Sequence, residues 1–160
     1  MQLRIPGPTP VPPEVLQAGA SPMVNHRGPE FADLITRITG RMKELMMTEH
    51  DVFVLTGSGT GALESAVVNT LSPGQKVLAV SIGEFGDRFA DIAVAFGANV
   101  QKMRFESGEH ADANRIREAL NADRDIRVLM ITHNETSTGV TNDMQEIGKL
   151  AKEMDVLLLV

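Results

Sequence analysis

Thr56-Gly57-Ser58-Gly59-Thr60-Gly61-Ala62-Leu63-Glu64 (TGSGTGALE) decides how the rest of this chain is read. It follows a short apolar run, Asp51 to Leu55 (DVFVL), and precedes a helical pattern with Leu63, Ala66, Val67 and Leu71 on one side. That order spells strand, glycine turn and helix start. Free backbone N–H groups and the positive end of the helix dipole then converge on one spot, where an anion is stabilised. Glycines let the backbone approach closely, and the Ser58 and Thr60 hydroxyls add donors. The stretch reads as a phosphate cup.

Other readings of the same residues compete with it. A P-loop needs a lysine before its final Ser or Thr, and none stands here. Gly57, Gly59 and Ala62 fit the G-x-G-x-x-G/A dinucleotide pattern, but the acidic residue expected at the end of the next strand is missing near Val80-Ser81. A plain turn between strand and helix is the third. Glycine alternating with hydroxyl residues ahead of a helix favours the cup.

Composition bounds what the chain can be. Its 160 residues, 42% hydrophobic and 22% charged, suit a globular domain with a sizeable core. A net charge of −6 without a basic stripe argues against nucleic acid or an anionic membrane as partner. There is no cysteine, which rules out disulfides and thiolate chemistry within these residues. The opening MQLRIPGPTPVPP lacks the apolar core of a signal peptide, and no run reaches membrane-spanning length. A cytoplasmic protein is the expectation.

Outward from the cup, Pro6, Pro8, Pro10, Pro12 and Pro13 make residues 1–20 an extended N-terminal arm, with a short helical turn from Pro13 to Ala18. Ser21 to Pro29 is a loop. Glu30 to Thr48 carries Phe31, Leu34, Ile35, Ile38, Met42, Leu45 and Met46 at helical spacing, so an amphipathic helix is expected, its apolar stripe packed in a core. Beyond the cup, strands at Lys76–Ser81, Asn99–Arg104, Arg127–Thr132 and Asp155–Val160 alternate with helices at Gly86–Phe96, Asp112–Asn121 and Asp143–Met154. With the run at 51–55 this makes five strands in a mostly parallel, three-layer α/β fold. The chain closes inside an apolar strand, which reads as the N-terminal part of a longer protein, with 21–160 the first portion of its large domain.

Ligands of such sheets bind beyond the carboxyl ends of the strands. The loop Ser81 to Gly86 places Phe85 between glycines (GEFG), suited either to stacking on a flat ring or to packing as the first core residue of its helix. Thr132-His133-Asn134-Glu135-Thr136-Ser137-Thr138-Gly139 is dense in hydrogen-bonding side chains directly after an apolar strand, and reads as ligand-binding or as a capped, solvated turn. The histidines show no metal-ligand spacing.

Taken together, GPTPVPP, HRGPEF (His26–Phe31), TGSGTGALE, NTLSPGQKVL (Asn69–Leu78), GEFGDR (Gly83–Arg88), THNETSTGV (Thr132–Val140) and the closing LLLV resemble the class V, fold-type I pyridoxal-phosphate enzymes. The alanine–glyoxylate and serine–pyruvate aminotransferases are the nearest in kind, and the matching pieces span the whole chain in order. The resemblance implies pyridoxal 5′-phosphate as cofactor, with Ser58, Gly59 and Thr60 on its phosphate, Phe85 stacked on the pyridine ring and Thr136 near the ring hydroxyl. It implies Gly7 on the substrate side, with Asn25-His26-Arg27 close by. The family's aspartate for the pyridine nitrogen, its Schiff-base lysine and its carboxylate-binding arginine all fall after Val160, and Lys43, Lys76, Lys102, Lys149 and Lys152 match none of those positions. The implied parent is a homodimeric transaminase that moves an amino group from alanine or serine to glyoxylate or pyruvate, and this chain alone is expected to be inactive. A cysteine desulfurase or lyase of the same class, a phosphate-ligand binding module and a dinucleotide-binding dehydrogenase stand as rivals.

Overall fold

A computed structural model describes residues 3–160. They divide into two compact units, Met1–Thr56 and Gly57–Val160. In the first, helix α1 (Pro13–Gly19) starts on a proline, whose fixed φ suits the first helical position. Helix α2 (Pro29–Leu45) starts the same way after Gly28. Neither helix contains a fully buried residue, and Ile35, Ile38, Leu45 and Met46 of the expected core stripe are exposed. No strand is present among the described residues of this unit, so amphipathic spacing here gives a helix without a core.

The run Asp51 to Leu55, read above as a strand, pairs with no strand among the described residues, and its Phe53, Val54 and Leu55 side chains are 81%, 66% and 71% exposed. An apolar run shows that a segment could join a ladder, but a strand exists only where a neighbour supplies the hydrogen bonds.

The second unit carries the sheet. Strands β1 (Lys76–Ser81), β2 (Asn99–Arg104), β3 (Val128–Ile131) and β6 (Leu157–Leu159) lie in the order β2-β1-β3-β6, all parallel. Val77 pairs with Val100 on one side and Val128 on the other, so β1 is central. Because successive side chains point to opposite faces, β1 feeds two cores. Leu78 and Val80 join Leu129, Ile131 and the helices α5 (Ala113–Ala122) and α6 (Met144–Glu153) through Ile116, Leu120, Ile147 and Leu150. Val77 and Ala79 join Val128, Met130 and the helices α3 (Gly59–Thr70) and α4 (Glu84–Ala95) through Val67, Phe89, Ala90 and Ala93. Phe89, 1% exposed, contributes on the order of 2–3 kcal/mol by its burial.

This is the three-layer α/β arrangement with a parallel sheet expected from strand-helix alternation. Asp112 and Asp143 cap α5 and α6, accepting from Asn114 N–H and from the Gln145 and Glu146 N–H groups. The polar run after β3 forms a small antiparallel hairpin, β4 (Asn134–Glu135) with β5 (Val140–Thr141), closed by Gly139 at φ 72°. That positive φ is where glycine is needed.

Candidate functional site

The loops at the carboxyl ends of β1 and β3, Val160 after β6 and the start of α3 line a cavity of about 360 Å³. Its walls are Gly59 and Leu63 from α3, Phe85 from α4, and Val160 beyond β6. The floor is Ile131 and Thr132 at the end of β3, and the hairpin adds His133, Asn134 and Thr136. Of the residues singled out in the sequence, Gly59, Phe85 and Thr136 therefore meet around one space. Ser58 and Thr60 flank Gly59 at the helix start. Gly7 belongs to the Met1–Thr56 unit, next to a cis Gly7–Pro8 peptide, and so do Asn25, His26 and Arg27. There Asn25 serves its own loop, its side-chain oxygen accepting from Arg27 N–H at 3.0 Å.

Helix α3 begins inside the Ser58–Thr60 stretch. Ser58 is its N-cap, with Oγ accepting from Gly61 N–H at 3.1 Å. Among the described residues the Gly59 and Thr60 N–H groups meet no acceptor, so they and the helix dipole remain available to an anion. Arg88, from α4, donates to Thr60 Oγ1 at 3.3 Å and lies 5.3 Å from the centroid of the Phe85 ring. It brings a cation to the cup and a cation–π partner to the ring. Phe85 is only half-buried and faces the cavity, while the core role in this helix falls to Phe89.

Sequence reading passed over Glu135, the feature that organises the other side. Its side chain is fully buried. It accepts from Phe85 and Gly86 N–H at 3.1 and 3.0 Å, and from Ser137 N–H and Oγ at 3.1 and 2.7 Å. Burial by itself pushes this carboxyl up. The Ser137 hydroxyl and the Gly86, Ser137 and Phe85 N–H groups together outweigh it and hold Glu135 below the ordinary glutamate range. A signal did exist: Gly83, the residue before α4, has no capping side chain, so the helix's first N–H groups needed an acceptor from elsewhere.

Two glycines make the fit possible. A Cβ on Gly83 would lie 2.5 Å from Ser137 Oγ and 2.6 Å from Glu135 Cγ, and one on Gly86 would lie 2.9 Å from Ser81 Cα. Buried Asn142 ties the hairpin down, accepting from Ala111 N–H at 2.7 Å and donating to the Thr132 carbonyl at 2.8 Å. The lysines lie elsewhere. Lys43 pairs with Asp51, Lys76 with Asp123 and Asp125, and Lys102 with Asp91, while Lys149 and Lys152 lie on α6. None lines the cavity.

A family profile described as aminotransferase class-V matches residues 3–160, nearly the whole chain. The chain belongs to the class-V aminotransferase family. An uncharacterized aminotransferase of Methanocaldococcus jannaschii is 41% identical over 158 residues, which cover 99% of this chain and 41% of that protein. The soluble hydrogenase 42 kDa subunit of Anabaena cylindrica is 42% identical over 162 residues, covering 100% of this chain and 42% of that protein. Among solved structures, the alanine–glyoxylate aminotransferase of Nostoc sp. superposes with a TM-score of 0.90 at 34% identity, covering 96% of this chain and 41% of that one. The chain thus spans about two fifths of the length of these family members. Its fold is that of the pyridoxal-phosphate-dependent aminotransferases.

Proposed function

We propose that the protein is a pyridoxal-phosphate-dependent transaminase that moves the amino group of a small amino acid, alanine or serine, to a 2-oxo acid, glyoxylate or pyruvate. One observation carries the reading. An unsatisfied helix start, an aromatic face and a hydroxyl converge on a single cavity of ligand size at the carboxyl end of a parallel sheet. Membership of the class-V family supports it, and so does the likeness to an alanine–glyoxylate aminotransferase.

The residues fit the cofactor. Ser58, Gly59 and Thr60 would bind its phosphate, Phe85 would cover its ring and Thr136 would hold the ring hydroxyl. When bound, pyridoxal phosphate supplies the electron sink that lets the amino-acid Cα proton leave and the amino group move. The chain's own part is to bind and orient. Arg88, beside Thr60 and Phe85, adds positive charge where the phosphate would sit. Leu63, Ile131 and Val160 supply apolar wall that keeps water off the ring. With no lysine in that wall, the Schiff-base lysine is proposed to lie beyond Val160, and 160 residues alone to be inactive.

The protein is further proposed to act in the cytoplasm as a homodimer. The exposed apolar side chains of α2 and of residues 53–55 support a partner surface. No helix among the described residues is long and apolar enough to cross a membrane. The deciding experiment is the visible spectrum of the full-length natural product with pyridoxal phosphate. A yellow band that bleaches with alanine or serine and returns with glyoxylate is expected. A protein that never develops the band is not a transaminase.

A further inference from the structure

Two helix starts stand at the same end of the sheet, and they are finished differently. At α3 the first N–H groups are free among the described residues. At α4 they are all taken: Glu84 N–H donates to Ser137 Oγ at 3.0 Å, and Phe85 and Gly86 N–H donate to Glu135 Oε2. Oε1 of the same carboxylate takes both donors of Ser137.

Glu135 forms no ion pair among the described residues, so backbone N–H dipoles and the Ser137 hydroxyl balance its charge. Burying a carboxylate in this way is costly unless every lone pair is engaged. Here its oxygens are engaged by the amide of the residue whose ring lines the cavity, and by the next amide along. Gly83 leaves the carboxylate the room it occupies, since any Cβ added there would meet Glu135 Cγ and Cδ at 2.6 and 2.8 Å. The rotation of α4 about its first turn, and with it the direction of Phe85, is therefore set from the hairpin.

We propose that Glu135 is a positioning residue of the cavity: it fills the anion site at the start of α4, leaves the α3 start to the ligand's phosphate, and holds Phe85 against the ligand's ring. The proposal rests on the cofactor reading above. It assigns Glu135 no contact with the ligand, so its effect must run through Phe85.

That route is what a double-mutant cycle isolates. The probe is 4-deoxypyridoxine 5′-phosphate, which has the ring and the phosphate but no aldehyde to react with any lysine. Its dissociation constant and the circular dichroism it acquires per bound molecule are read in the full-length protein, in Glu135→Gln, in Phe85→Leu and in the double variant. Glu135→Gln is expected to weaken binding about 5- to 20-fold, as for coupled contacting groups, and to reduce the induced signal. In the Phe85→Leu background the same change is expected to alter binding less than about twofold.

Equal weakening in both backgrounds, or wild-type binding by Glu135→Gln, overturns the proposal and leaves the cofactor reading standing. A folded wild-type protein that does not bind the probe overturns the cofactor reading itself. If Glu135→Gln does not fold, Ser137→Ala runs the same cycle under the same criteria. It removes the hydroxyl that donates to Oε1 and accepts from Glu84 N–H, and about 2- to 5-fold weakening confined to the Phe85 background is expected.

Discussion

A carboxylate without exposed surface and without a cation beside it must have its charge spread over hydrogen bonds, and Glu135 shows the chemistry of that solution. Its folded form is held below the ordinary glutamate value of 4.5, despite burial, by Ser137 and the α4 amides. A depressed carboxyl contributes stability that is complete above its unfolded value and is lost as pH falls through the lower, folded one. Urea unfolding followed from neutral pH down through 4.5 and below should therefore show wild-type stability falling with acid by more than in Glu135→Gln, whose amide does not titrate there. Parallel curves for the two proteins would mean that the charge is not held as described. Nothing in THNETSTG distinguishes this glutamate from a solvated one, because its partners at Phe85 and Gly86 lie 50 and 49 residues earlier.

At the scale of elements, the helix starts at Asp112 and Asp143 were legible and pairing was not. Asp112 and Asp143 cap their helices as side chains of that type and position do, since the acceptor and the orphan N–H groups lie within three residues. Ser58 belongs to the same class and has a second duty, because the helix it caps offers its next N–H groups to an anion. Ser58→Ala should cost about 1 kcal/mol of stability by loss of the cap. It should also weaken binding of the phosphorylated probe more than that of unphosphorylated 4-deoxypyridoxine. Melting temperatures and the two dissociation constants check both parts, and equal weakening of the two ligands would remove Ser58 from the phosphate. The strand read at 51–55 failed for the opposite reason: its apolar pattern is local, but a ladder partner is not.

For the whole molecule, the contrast between the two units is the informative feature. In Gly57–Val160 the parallel sheet is covered on both faces, and the apolar runs of β1 and β3 are wholly consumed by the two cores. In Met1–Thr56 apolar side chains remain exposed along α2 and at Phe53, Val54 and Leu55. If that surface closes a homodimer, Phe53→Asp should shift the full-length protein from dimer to monomer in native mass measurements, because a charge would be buried unpaired. A variant that stays dimeric places the interface elsewhere.

By itself the sequence determined the alternation of strands and helices from Lys76 onward and the starts of α5 and α6, since each depends on side-chain spacing within a few residues. The motifs sufficed to point to the class-V family, which the family match then established. Only the tertiary structure decided that Gly59, Phe85 and Thr136 share one cavity, that Phe89 rather than Phe85 fills the core, and that a buried glutamate closes the start of α4. Those facts depend on contacts between segments dozens of residues apart. Whether a polar side chain is solvated or buried, and whether an apolar run finds a partner, is set by what the fold brings beside it.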